Sequence, residues 1–168
     1  AGGIGVTPMV SMLADLVHTN DPREVYFFYG VRHGGDHALR GQIEELIAGR
    51  TNVHLFVAYS QPRTTDREFA DYQFRGRITA EYLRNVLPTG NFDFYLCGPG
   101  PMMQSLVVGL LELGVSDDAI HYEAFGPASV RRPQVGHAGD PTCAVQFSAS
   151  KKSVAWDASY ASLLELIE

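Results

Sequence analysis

A chain of 168 residues has room for one sizeable core, or for one domain and part of another. Its net charge of −6, with Arg131 and Arg132 as the only adjacent arginines, excludes the basic surface that nucleic acid or an anionic membrane demands. Hydrophobic residues make up 45% and no apolar run reaches the roughly 18–20 residues of a membrane span, so a soluble, cytoplasmic protein is expected.

The elements follow in chain order. After a glycine cluster, Thr7 and Pro8 are placed as N-cap and first helical residue. Met9, Val10, Met12, Leu13, Leu16 and Val17 then recur at helical spacing up to Asn20-Asp21-Pro22. Val25–Val31 (VYFFYGV) is apolar almost throughout, the pattern of a strand covered on both faces. A turn-rich stretch leads to a second helix around Leu39–Ala48, and Val53–Tyr59 (VHLFVAY) is another strand. Ser60–Arg75 is polar and long for a structureless connection, which marks it as a candidate functional loop.

Gly76-Arg77-Ile78-Thr79 caps a third helix that runs to Leu87, and Phe92–Cys97 is a third buried strand. Gly98-Pro99-Gly100-Pro101 breaks that strand before a helix over Met102–Leu113, and Ile120–Phe125 is a fourth strand. This alternation predicts an α/β fold with a doubly wound parallel sheet. From Gly126 the composition turns to Gly, Pro and Ala, giving a linker at 128–141 between a first domain, 1–127, and a second, 142–168. The last stretch reads as two short strands joined by a polar turn, then the start of a helix at SLLELIE.

Three motifs fall where strands give way to helices. Gly3-Ile4-Gly5-Val6-Thr7-Pro8 lets bare backbone approach a ligand, with unpaired amides and a positive dipole end behind it, a combination that favours phosphate or pyrophosphate. Glycines before a helix also serve simply to turn the chain. Cys97-Gly98-Pro99-Gly100-Pro101-Met102 sits at the carboxyl end of a strand, where ligands bind in open α/β sheets. Glu123-Ala124-Phe125-Gly126-Pro127 ends the last strand. The histidines are scattered without HxxxH or HxH spacing and the two cysteines form no CxxC, so no protein-built metal site is expected.

In this order and spacing, AGGIGVTPM, FYLCGPGPMM and HYEAFGPA resemble the pyridine-nucleotide domain of the ferredoxin-NADP reductase superfamily. The likeness is strongest to the reductase portion of flavohaemoglobins and to bacterial flavin and iron-sulfur reductases. It implies a doubly wound NAD(P)-binding domain, here without its first central strand, which is expected to lie before Ala1. The tail, FSASKKSVAWD with SLLELIE, is similar to the opening hairpin and helix of a plant-type 2Fe-2S ferredoxin of β-grasp fold.

The resemblance implies roles residue by residue. Gly2, Gly3, Gly5, Val6, Thr7 and Pro8 correspond to the loop and helix start that cradle the pyrophosphate of NADH or NADPH. Cys97, Gly98, Pro99 and Met102 correspond to the motif that holds the nicotinamide. Glu123 and Phe125 correspond to the segment beside the flavin, so Cys97, Glu123 and Phe125 are the candidate catalytic residues. FAD or FMN would be bound mainly by an upstream domain, and a 2Fe-2S cluster by a downstream ferredoxin domain of the same polypeptide. An electron-acceptor protein such as an oxygenase would follow.

Cofactor choice is expected after the second strand of such a sheet, where an acid accepts ribose hydroxyls and an arginine pairs with a 2′-phosphate. Arg32 there leans towards NADPH, with Asp36 several residues on, and Ser60 and Gln61 could touch the adenosine end. Two other readings remain open: the reductase part of a flavohaemoglobin-type nitric oxide dioxygenase, and a nucleotide-binding or interaction module without catalysis.

Overall fold

The computed structural model describes residues 1–125, 143–148 and 151–156. The expected linker and the terminal SLLELIE helix lie outside these residues. The chain divides into two units, Ala1–Val130 and Arg131–Glu168. In the second unit, β6 (Cys143–Phe147) and β7 (Lys152–Trp156) pair antiparallel, with Val145 opposite Val154.

The first unit is built on parallel strands. The order β3-β2-β1 comprises β1 (Val25–Val31), β2 (Val53–Tyr59) and the two-residue β3 (Phe74–Arg75), which falls inside the stretch read as loop. A second pair joins β4 (Phe94–Cys97) to β5 (Ile120–Glu123), each shorter by two residues than its apolar run suggested. Ala1 and Gly2 occupy the slot between these halves. The amino nitrogen of Ala1 donates to the Phe28 carbonyl at 2.6 Å, the Gly30 amide to the Ala1 carbonyl at 2.9 Å, and the Gly2 amide to the Cys97 carbonyl at 2.9 Å. Gly2 and Gly30 form a parallel bridge, so the two halves read as one sheet through a two-residue central segment.

Helices cover both faces, as a doubly wound sheet requires. On one face Val6, Val10 and Leu13 of α1 (Val6–His18) and Ile43 of α2 (Arg40–Ile47) pack with Phe27, Tyr29, Val31, Val57 and Tyr59. On the other, Leu83 of α3 (Ala80–Val86) and Met103, Leu106, Val107 and Leu110 of α4 (Gly100–Glu112) pack with Ala58, Leu96 and Ile120. Successive residues of β1 serve opposite faces: Phe27 and Tyr29 are buried under α1 and α2, while Phe28 stacks on Phe56 at 4.8 Å and meets Tyr82 of α3 edge-on. This two-sided burial is why β1 carries almost no polar residue.

The caps follow two patterns. Thr79 caps α3 as its sequence implies, accepting from the Tyr82 amide at 3.1 Å. Thr7 does not cap α1. The helix begins two residues earlier than expected, at Val6, with Gly5 as its N-cap, and the Thr7 hydroxyl donates back to the Ile4 carbonyl at 3.1 Å. Pro8 therefore sits in the third helical position, where an amide has no intrahelical acceptor and none is lost.

Candidate active site at the carboxyl edge of the sheet

Because the strands run parallel, the segments after Gly2, β1, β2, β4 and β5 emerge along one edge. The direction of winding reverses between Gly2 and β4, and this is where open α/β sheets form a ligand crevice. Two glycine loops meet there. Gly3–Gly5 forms a 3-10 turn leading into α1, and Gly98-Pro99 leads into α4, whose first turn is closed by bonds from Met102 and Met103 amides to the Pro99 carbonyl.

Gly5 meets the Cys97–Gly98 backbone directly, with no side chain between them. A Cβ at Gly5 would strike the Cys97 carbonyl and the Gly98 amide, and one at Gly98 would lie 2.6 Å from Met102 Cε and 3.1 Å from Gly2 Cα. Gly3, at φ +51° in the left-handed region, has nothing within 4 Å of where its Cβ would point. That open side, flanked by Ile4 at 68% exposure, is the one a ligand can approach. The first amides of the turn have no carbonyl behind them to receive their hydrogen bonds. Bare backbone, unpaired amides and a helix start make a surface suited to a phosphate or pyrophosphate.

Other sequence-marked residues take distinct positions. Val6 is fully buried in the core and can offer only its backbone. Cys97 is fully buried as well, and burial followed by the nearby Glu123 carboxylate pushes its thiol up, so it stays protonated. Glu123 pairs with Cys97 in register at the ends of β5 and β4 and is exposed. Phe125 lies beyond the strand, half exposed at 50%. Met102 packs between Gly2 and Gly98 and joins the two loops.

Further along the edge, Arg32 donates Nε to Asp36 at 2.7 Å. The amides of Ser60 and Gln61 donate to the carbonyls of Val31 and Arg32 at 3.0 and 2.7 Å, which holds the end of β2 beside the end of β1. Single-residue reading missed the side chains that complete this wall. Arg63 donates to His33 Nε2 at 3.0 Å, and Asp66 accepts from the amides of Arg63 and Gly34 at 2.7 and 3.3 Å. His37 bonds the Tyr59 hydroxyl at 2.9 Å, and burial, then the Arg40 charge, lowers its pKa and favours the neutral ring. The only available signal was the improbable length of the polar stretch after β2. Among the described residues no acidic, histidine or cysteine cluster could hold a metal ion, and no helix is long and apolar enough to cross a membrane.

Known proteins share this arrangement. The chain is 40% identical over 127 residues to a flavohemoprotein of Rhizobium meliloti, a match that covers 76% of this chain and 31% of that protein. It thus spans about a third of the length of that curated relative. The flavohem-like FAD/NAD binding domain of nitric oxide dioxygenase from Vibrio cholerae superposes with a TM-score of 0.61 at 35% identity, covering 75% of this chain and 49% of that one. The Amycolatopsis cytochrome P450 reductase GcoB gives 0.62 at 25% identity, covering 77% and 37%. The family model for the oxidoreductase NAD-binding domain matches residues 1–107, and with the two glycine loops meeting at the reversal point of a doubly wound sheet, the chain belongs to that family.

Proposed function

We propose that this chain binds NADH or NADPH across its carboxyl edge and presents the nicotinamide to a flavin held mainly by an upstream domain of the same polypeptide. The observation that carries the reading is the interlock of Gly2–Gly5 with Cys97–Gly98, which forms one backbone-lined wall with an open flank at Gly3. A bound reduced nicotinamide supplies a hydride, and FAD or FMN accepts it and releases electrons singly.

The chain's own residues align and exclude water. The amides around Gly3, Ile4 and Thr7 hold the pyrophosphate, with Gly2, Val6 and Pro8 shaping the loop and helix start. Gly98, Pro99 and Met102 wall the nicotinamide. Cys97 acts as a protonated, buried spacer beneath the nicotinamide, not as a nucleophile, and Glu123 beside it sets the polarity where the flavin approaches. Phe125 covers the flavin until nicotinamide displaces it. Ser60 and Gln61 border the adenosine.

In the leading reading, a 2Fe-2S cluster in a downstream ferredoxin domain would accept the electrons for an acceptor such as an oxygenase, in the cytoplasm. Its support is the tail's ferredoxin-like text together with the antiparallel β6–β7 hairpin. The second reading, the reductase part of a flavohaemoglobin-type nitric oxide dioxygenase with haem as acceptor, is favoured by the 40% identical flavohemoprotein. The visible spectrum of the parent polypeptide separates them, because haem gives a Soret band and a 2Fe-2S cluster the broad bands of iron-thiolate charge transfer.

Calorimetric titration of the 168-residue chain with NADH and NADPH tests the nucleotide reading. Binding without turnover is expected. A folded chain that binds neither nucleotide would instead be an interaction module.

A further inference from the structure

The turn between β1 and α2 lies on the carboxyl edge, and its own sequence does little to fix it. Gly34 and Gly35 carry no side chain to pack, and at the surface Arg32 bonds Asp36 while His33 bonds Arg63. His37, which ends the turn, reaches inward instead. Its Nδ1 lies 2.9 Å from the Tyr59 hydroxyl, and its ring meets Tyr29 edge-on at 5.2 Å and Tyr59 at 5.8 Å. Tyr29 and Tyr59 are both fully buried, and Tyr59, the last residue of β2, stacks on Tyr72 at 4.7 Å. A Cβ at Gly34 would come within 2.6 Å of Asp66 Oδ1 and 3.5 Å of the Tyr59 hydroxyl, so the turn is seated directly on that hydroxyl. One histidine thus ties a glycine turn to the two core strands beneath it.

Resting on the nucleotide reading above, we propose that His37 is a positioning residue that seats the Gly34–Asp36 turn on the edge where nucleotide binds, and that protonation of its ring unseats the turn and weakens nucleotide binding in acid. A second ring proton would put a cation between two buried tyrosines and near the Arg40 guanidinium. Glu44 and Asp71 are the acids that face His37, and Arg40 already bonds both. Burial, then the Arg40 charge, holds the seated ring below its usual range. The seated turn is therefore fully favoured above about 6.5, the ordinary histidine value, and is lost as pH falls through the lower seated one.

ADP-ribose is the probe, because its pyrophosphate stays fully ionised in weak acid. It is titrated calorimetrically into the full chain from about pH 7.5 down to about pH 5, with circular dichroism to confirm folding at each step. The intact chain should lose about fivefold in affinity over this range, the worth of one hydrogen bond. His37→Gln can still bond the Tyr59 hydroxyl but takes up no proton, so it should lose that slope. Tyr59→Phe keeps the rings and removes the bond, and should bind about fivefold more weakly at about pH 7.5. The Ala1 amine, pushed down to about 5 by burial, titrates in the same window, so the slope that His37→Gln removes is the measure. Without nucleotide, the Gly34 and Asp36 amides should lose exchange protection in acid in the intact chain and keep it in His37→Gln. Equal slopes for the intact chain and His37→Gln, or amide protection that ignores pH, overturn the assignment, as does Tyr59→Phe binding at full strength. A folded chain that binds no ADP-ribose at any pH overturns the nucleotide reading, and this inference with it.

Discussion

Replacing Gly5 by alanine tests the interlock of the two loops directly. Gly5 sits at φ −62° and ψ −1°, a conformation that alanine adopts freely, so no backbone strain enters. The whole effect comes from the added methyl, which would land on the Cys97 carbonyl and the Gly98 amide. Neither is a flexible side-chain end. Both are backbone at the end of β4, and the Cys97 carbonyl also receives the Gly2 amide at 2.9 Å. Forcing a methyl into close-packed surroundings costs about 1–3 kcal/mol, and displacing that hydrogen bond adds about 1, which together suggest roughly 3 kcal/mol. For a unit of this size the melting temperature should fall by about 10 °C.

Two neighbouring substitutions of the same chemistry calibrate the result. Gly3→Ala places its methyl in open space but at φ +51°, and should cost about 1–2 kcal/mol. Gly41→Ala, in the first turn of α2 with nothing within 4 Å, should stabilise by about 0.5–1 kcal/mol. Urea and thermal denaturation measure all three. If Gly5→Ala costs no more than Gly3→Ala, the contact between the loops does not have the rigidity claimed for it.

Two further outcomes follow from charge and burial. The Arg40 guanidinium, then the Arg67 amide, hold the Asp71 carboxyl below its ordinary value of 3.8, so its contribution is complete above that value and is lost as pH falls through the lower folded one. Asp71→Asn should flatten the acid limb of stability below about pH 4, and an unchanged limb in denaturant titrations would remove the pair from the account. Cys97, buried and protonated, should resist iodoacetamide in the folded chain and react on unfolding; peptide mapping that finds Cys97 alkylated at neutral pH in native protein would contradict that burial.

Much of this fold was legible because β1 and β2 are buried on both faces, and such strands carry near-continuous apolar runs. Their limits match the runs at Val25–Val31 and Val53–Tyr59. β3 left no such trace. Two residues cannot show a period, and Phe74-Arg75 pairs only because Ala58 and Tyr59 present an edge. The start of α1 was misplaced by two residues because Thr-Pro is a strong local signal, whereas the true cap, Gly5, is selected by its contact with Cys97, 92 positions away. Both glycine loops were visible as text, and so was Asp36. Its bond to Arg32 is local, but the clasp through Arg63 and Asp66 joins segments about 30 residues apart and has no local signature.

The contact between the two loops has a mechanical meaning. The Gly2 amide meets the Cys97 carbonyl, and α1 packs towards β4 beside it. A molecule gripping both loops would act as a splint, bracing the turn before α1 against the turn before α4. Holding the ligand and holding the two turns together would then be the same act.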